Sequence, residues 1–303
     1  MFRGNTRRTG SINSKPLIRP LLYWTIKLGP IISSPVYERG FLYVATAPGR
    51  IFCLDIFRRE IRWHQNFGSS IVLSPLIMDN MIVCATFDSW INADTNGNNF
   101  VYCLDKNDGS FIWRLPMKGD IFSSPCPAGK NIALGSMDNN LYLLSSVGEI
   151  ICNFETKGHV RSSPSYHENL LYFGSDDGFI YSIHIDGSLR WKSKLNGKIR
   201  SSSPCISYDS VFVGTYVGGT YCLNNMNGIP KWNKNISKPV LSSPLLVKDK
   251  IMFGTSDCTL YCFNLTGSKI WDFETVGKIW SSPSSSEFDK LMFLGVWIHL
   301  FTV

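Results

Sequence analysis

The chain has 303 residues, of which 44% are hydrophobic, 13% aromatic and 17% charged. That composition supplies a core and excludes a disordered chain, and no run reaches the ~18–20 consecutive apolar residues of a membrane-spanning helix. Of the formal net charge of +7, five positive charges (Arg3, Arg7, Arg8, Lys15, Arg19) fall in the first 22 residues, which contain no acid. The remainder is close to neutral, which argues against a basic nucleic-acid-binding face.

In chain order, residues 1–22 read as a flexible basic tail. They are rich in Ser, Thr and Arg, as transit peptides are, but their Gly and Asn spacing makes a poor amphipathic helix. No apolar core of a secretory signal follows, so the expected location is the cytoplasm. From residue 23 a repeat begins. "SSP" or its variant "LSP" ends at Pro35, Pro75, Pro125, Pro164, Pro204, Pro244 and Pro283, at steps of 40, 50, 39, 40, 40 and 39. A second phrase keeps the same step through Trp24, Trp63, Trp113, Trp191, Trp232 and Trp271, with Phe154 read as the substitute for Trp in "CNFETKG". Between the phrases lie pairs of short apolar runs such as "LLYFGS" and "FIYSI", or "IMFGTS" and "TLYCF", bounded by Gly, Asp and Asn. These read as strands joined by hairpins, and no 3.6-residue stripe persists.

A period near 40 with four short strands per unit predicts an all-β, seven-bladed β-propeller of four-stranded antiparallel blades, one domain over residues 23–303. Pro lacks an N–H, so it suits a strand start or an unpaired edge, and "SSP" should open each blade. The segment "LLYWTIKLG" around Trp24 has no blade of its own. The C-terminal "KLMFLGV" and "WIHLFTV" lack an outer Trp strand, so their pairing would close the ring and leave no open edge. The 50-residue step comes from an insertion, Ser89 to Phe100, between the second and third strands of the second blade. Asp94, Asn96 and Asn98 within it alternate like half a calcium loop without the closing Glu.

Catalytic signals are sparse. The nine cysteines read as small, buried, reduced residues, with Cys53, Cys103, Cys222 and Cys262 at one repeat position. The five histidines are scattered, and "GSDDG" at 174–178 reads as a hairpin turn rather than a nucleophile elbow. No metal or cofactor site is expected. Two surfaces suit a protein partner: Trp90 in the insertion, and the residues just before each "SSP", which include Phe122, Arg161, Arg200 and Trp280 and could form a groove for a peptide or an anionic ligand.

The Asp-Gly-Trp segments "LDKNDGSFIW" (104–113) and "IDGSLRW" (185–191) resemble the repeat of pyrroloquinoline quinone-type propellers. "FGTSDCTLYCFNLTGSKIWDFETVGKIWSSP" resembles the C-terminal propeller of the β-alanine-activating enzyme, of the acyl-CoA synthetase family. The first resemblance implies that the Trp residues dock between adjacent blades. It would also imply a quinone held beside an adjacent disulfide-linked Cys pair, and this sequence has no adjacent cysteines. The expectation is therefore a non-enzymatic scaffold for protein partners, serving an acyl- or aminoacyl-activating system. A quinone-binding protein with a redox role is the alternative.

Overall fold

The computed structural model describes residues 11–12, 24–87, 99–236, 238–286 and 291–293. All regular structure among them is β-strand. The described residues fall into two compact units, 24–155 and 156–293 together with 11–12.

The first unit holds three four-stranded antiparallel sheets, spanning 36–66, 76–116 and 126–155, each with its strands hydrogen-bonded in sequence order. The second holds three more, over 165–194, 205–235 and 245–274. It also contains a three-stranded sheet in which Ser284–Ser286 pairs antiparallel with Leu291–Phe293 and parallel with Ser11–Ile12. Six four-stranded sheets are therefore in place, and the seventh Ser-Ser-Pro opens the strand Ser284–Ser286. The expected closing partner, "WIHLFTV" at 297–303, lies outside the described residues. Trp24 to Pro30 form no strand. Trp24 and Leu28 instead pack on Val44, Phe52 and Leu54 of the first sheet.

The repeated phrases acquire physical meaning here. In all seven cases the residue after Pro begins a strand: Val36, Leu76, Cys126, Ser165, Cys205, Leu245 and Ser284. In the six four-stranded sheets this first strand pairs on one side only, so a residue without an N–H at its mouth costs the ladder nothing. The leading serine serves its own sheet: Ser242 Oγ accepts from Gly254 N at 2.8 Å, and Ser202 and Ser123 accept likewise from Gly214 and Gly135. The second serine serves the preceding repeat. Ser34 N donates to Ser74 Oγ at 3.1 Å and Ser74 N to Ser124 Oγ at 3.3 Å. In the second unit Ser203 N donates to Ser243 Oγ and Ser243 N to Ser282 Oγ, both at 3.0 Å. A hydroxyl on one repeat thus satisfies a backbone donor on its neighbour, as buried polar groups require.

The fourth strands carry a β-bulge at one place in all six sheets. In the first sheet Cys53 opposes Trp63 while Leu54 opposes Ile61, which leaves Arg62 as the extra residue. A bulge re-aims the strand that carries it, and here it sets the tryptophan. Trp63 Nε1 donates to Lys106 O at 3.1 Å in the next repeat, Trp113 to Ser146 O, Trp191 to Asn225 O and Trp232 to Leu265 O. Beneath each indole lies a turn glycine. Gly109 has φ +75° and a Cβ there would stand 2.5 Å from Trp63 Cε3, so both backbone and space demand glycine. Gly228 meets Trp191 in the same way.

The register corrects one reading of the sequence. Cys152, not Phe154, opposes Leu143 beside the bulge and so holds the position that Trp fills elsewhere, while Phe154 lies two residues further on, opposite Leu141. Both candidates sit near the bulge, and the pairing separates them.

Candidate functional site

A buried apolar side chain precedes every one of these phrases but the first and anchors the segment: Ile71, Ile121, Val160, Ile199 and Ile279 are fully buried, and Val240 nearly so, whereas Ile31 before Ser33-Ser34-Pro35 is 47% exposed. Ile199, Val240 and Ile279 each press on a glycine that ends a strand of the preceding sheet, Gly174, Gly214 and Gly254, where a Cβ would collide. Their backbone N–H groups donate to Ser175, Thr215 and Thr255 carbonyls. With its anchor buried, the residue that follows is held toward the surface. That residue is Val72, Phe122, Arg161, Arg200, Leu241 or Trp280. Arg200 stands four residues before its Pro and Arg161 three, so one extra serine separates the two repeats, and Ile199 fixes the alignment.

Of the residues singled out from sequence, Trp90 lies outside the described residues. Phe122 is half-buried in the first unit, its ring 4.7 Å from that of Phe87. Arg161, Arg200 and Trp280 belong to the second unit, and Trp280 is 47% exposed. Arg161 and Arg200 come together on Asp176, a residue the sequence pattern assigned to a turn. Arg161 Nε lies 3.6 Å from Asp176 Oδ2 and Arg200 Nε 3.4 Å from Oδ1. The Asp176 side chain is only 6% exposed and both arginine side chains are 30% exposed. A buried charge needs such partners, since desolvation alone would disfavour it. Asp176 N donates to His159 O at 2.8 Å, which pins the turn.

The adjacent Asp177 does the work of a turn residue. Its carboxylate accepts from Phe179 N at 2.9 Å and from the Tyr181 hydroxyl at 2.6 Å. Burial, and then that same carboxylate, push the Tyr181 phenol well above its ordinary value, so it remains a donor. The second aromatic of the site is Tyr216, at the position Asp176 holds one repeat earlier. The Arg200 guanidinium lies 4.5 Å over its ring, and Tyr216 N donates to Lys198 O at 2.8 Å. Lys198, Tyr216 and Val217 are exposed. Asp176, Tyr216 and Phe87 escaped the sequence reading. The signal available was their common column, two residues after the strand that ends in Gly or Ala.

Elsewhere the chemistry is quiet. Seven cysteines are buried and Cys152 and Cys258 are half-buried. Burial lifts the Cys53 and Cys262 thiols to about 11 and the Cys103 thiol to about 12, so they are poor nucleophiles. Among the described residues no three His, Cys, Asp or Glu side chains converge in a metal-binding arrangement.

Comparison with known proteins agrees with the repeat. The family described as "Beta-alanine-activating enzyme, beta-propeller" matches residues 99–296, and that of "Outer membrane protein assembly factor BamB" matches residues 8–95. Among solved structures, BamB from Moraxella catarrhalis superposes with a TM-score of 0.72 at 18% identity, over 83% of this chain and 78% of BamB. A europium-containing methanol dehydrogenase gives 0.71 at 13% identity, over 86% of this chain and 71% of the other. The computationally designed protein Ika8 gives 0.65 at 15% identity, over 78% and 71%. At these identities the likeness speaks for the propeller fold alone. Curated proteins provide no significant sequence match. With its repeats, docked tryptophans and a family match over residues 99–296, the chain belongs to the family of the β-alanine-activating enzyme β-propeller.

Proposed function

We propose that the chain is a seven-bladed propeller, a single domain over residues 23–303 closed through its N-terminal segment. In this reading it is a non-enzymatic, cytoplasmic platform for protein partners and serves an acyl- or aminoacyl-activating system. The blade count rests on seven Ser-Ser-Pro phrases, each opening a strand. Closure rests on the sequence pattern: "LLYWTIKLG" carries the Trp phrase without a blade of its own, and no such phrase follows the seventh Ser-Ser-Pro. The observation that carries the function is the position after each buried anchor. The fold holds it rigidly at the surface, and it is occupied by Phe122, Arg161, Arg200 and Trp280. Large aromatic and Arg side chains on a fixed frame are the residue types that dominate protein interfaces. Membership of the β-alanine-activating enzyme propeller family supports an adenylating system as the partner, and no part of the reading requires nucleic acid.

The test is direct binding of the purified chain to an isolated adenylating domain with its carrier domain, followed by interferometry and size-exclusion chromatography. A stoichiometric complex weakened by Trp280→Ala is expected. Failure to bind, together with uptake of pyrroloquinoline quinone and calcium and alcohol-dependent dye reduction, would instead establish the redox reading.

A further inference from the structure

Arg200 combines three restraints that are not needed to hold a surface arginine. Its Nε faces the buried Asp176 carboxylate at 3.4 Å, its guanidinium carbon lies over the Tyr216 ring, 4.5 Å from the centroid, and its stem follows Ile199, which is fully buried. Among the described residues its two terminal nitrogens take part in no hydrogen bond. Tyr216 covers one face and Asp176 holds one edge, so the side chain has lost most of its rotamer freedom before any ligand arrives. What it retains is the in-plane pair of terminal donors, the fork that matches a planar carboxylate bidentately. Stacking on an aromatic face leaves those donors available. The exposed Lys198 ammonium stands two residues away, and Val217, 46% exposed, supplies an apolar margin.

Resting on the reading of the chain as a protein-interaction platform, we infer that Arg200, stacked on Tyr216 and braced by Asp176, is the receptor for an acidic side chain of the partner. The ligand class is a Glu or Asp carboxylate in an extended segment. Of the two arginines on Asp176, Arg200 is the one stacked on Tyr216, and its fork presents two in-plane donors that match a planar carboxylate.

The probes are a fluorescein-labelled hexaglutamate peptide and its hexaglutamine counterpart, read by fluorescence anisotropy. Hexaglutamate should bind the wild-type chain and hexaglutamine should not. Arg200→Met should weaken hexaglutamate by about 10- to 100-fold, as loss of a charge-assisted pair does. Arg200→Lys should recover only part of the affinity, because the fork is gone. Lys130→Met removes one exposed charge in the other unit and should change nothing. Urea midpoints equal to wild type show that each variant is folded. Equal binding of the two peptides, an Arg200→Met variant that binds like wild type, or displacement by inorganic phosphate at lower concentration than by acetate overturns the assignment. An adenylating partner that binds wild type and Arg200→Met equally well leaves the platform reading intact and sinks this site alone.

Discussion

Two glycines of the first unit form a matched pair that isolates the tryptophan wedge. Gly68 has φ +73° and open space around it, and Gly109 has φ +75° with the Trp63 indole against it. In Gly68→Ala only the backbone objects, at about 1–2 kcal/mol for an L-residue in the left-handed region. Gly109→Ala carries the same backbone term. It also places Cβ 2.5 Å from Trp63 Cε3 and 2.7 Å from Cδ2. The indole is 8% exposed and its Nε1 is tied to Lys106 O, so it cannot retreat freely. Overpacking of this kind adds about 1–3 kcal/mol. With an m-value of about 2 kcal/mol/M, the urea midpoint of Gly109→Ala should lie roughly 0.5–1.5 M below that of Gly68→Ala. The control is a double-mutant cycle: in a Trp63→Leu background the excess should vanish. Equal midpoints for the two alanines, or an excess that survives loss of the indole, would refute the wedge.

Ser243→Ala removes the acceptor of the buried Ser203 N–H and should destabilise by about 1–3 kcal/mol. Amide exchange at Ser203 should accelerate with it, and an unchanged rate would show that the hydroxyl is idle. The buried thiols give a pH dependence with a definite sign. Unfolded thiols ionise near ~8.5, whereas Cys53 and Cys262 hold their protons to about 11 and Cys103 to about 12. Above ~8.5 the unfolded chain therefore loses protons that the folded chain keeps. Stability is full below that pH and falls above it, by up to about 1.4 kcal/mol per pH unit per thiol. Cys103→Ala should flatten the profile between pH ~8.5 and about 12, the window set by the Cys103 shift, and an identical slope would contradict the assignment. Iodoacetamide on the folded chain should reach Cys152 and Cys258 before the seven buried cysteines, as peptide mass spectrometry would report; early labelling of Cys103 would count against its burial.

Strand order was legible in the sequence because it is local. Alternation of apolar residues, turn glycines and a proline that must sit at an unpaired edge each act within a few residues. The role of Ser-Ser was not, since the second hydroxyl is used by a backbone group some 40 residues away. The slip between Phe154 and Cys152 has another origin: its aromatic ring matches Phe154 to Trp, whereas the pairing, and the spacing to Pro164, assign the position to Cys152. Of the candidate site, Arg161 and Arg200 stood out as cations in an apolar column. Their convergence on Asp176 depends on a turn whose two aspartates look alike in sequence yet face different tasks.

The relay of serine hydroxyls has a bearing on how such chains grow. At four seams, two within each unit, one repeat offers an amide and the next a hydroxyl, so a unit spliced there meets a compatible partner at both borders without further adjustment. Lengthening or trimming the array becomes a matter of copying a cassette. The side chains that follow the buried anchor are left free to diversify, since the seam asks nothing of them.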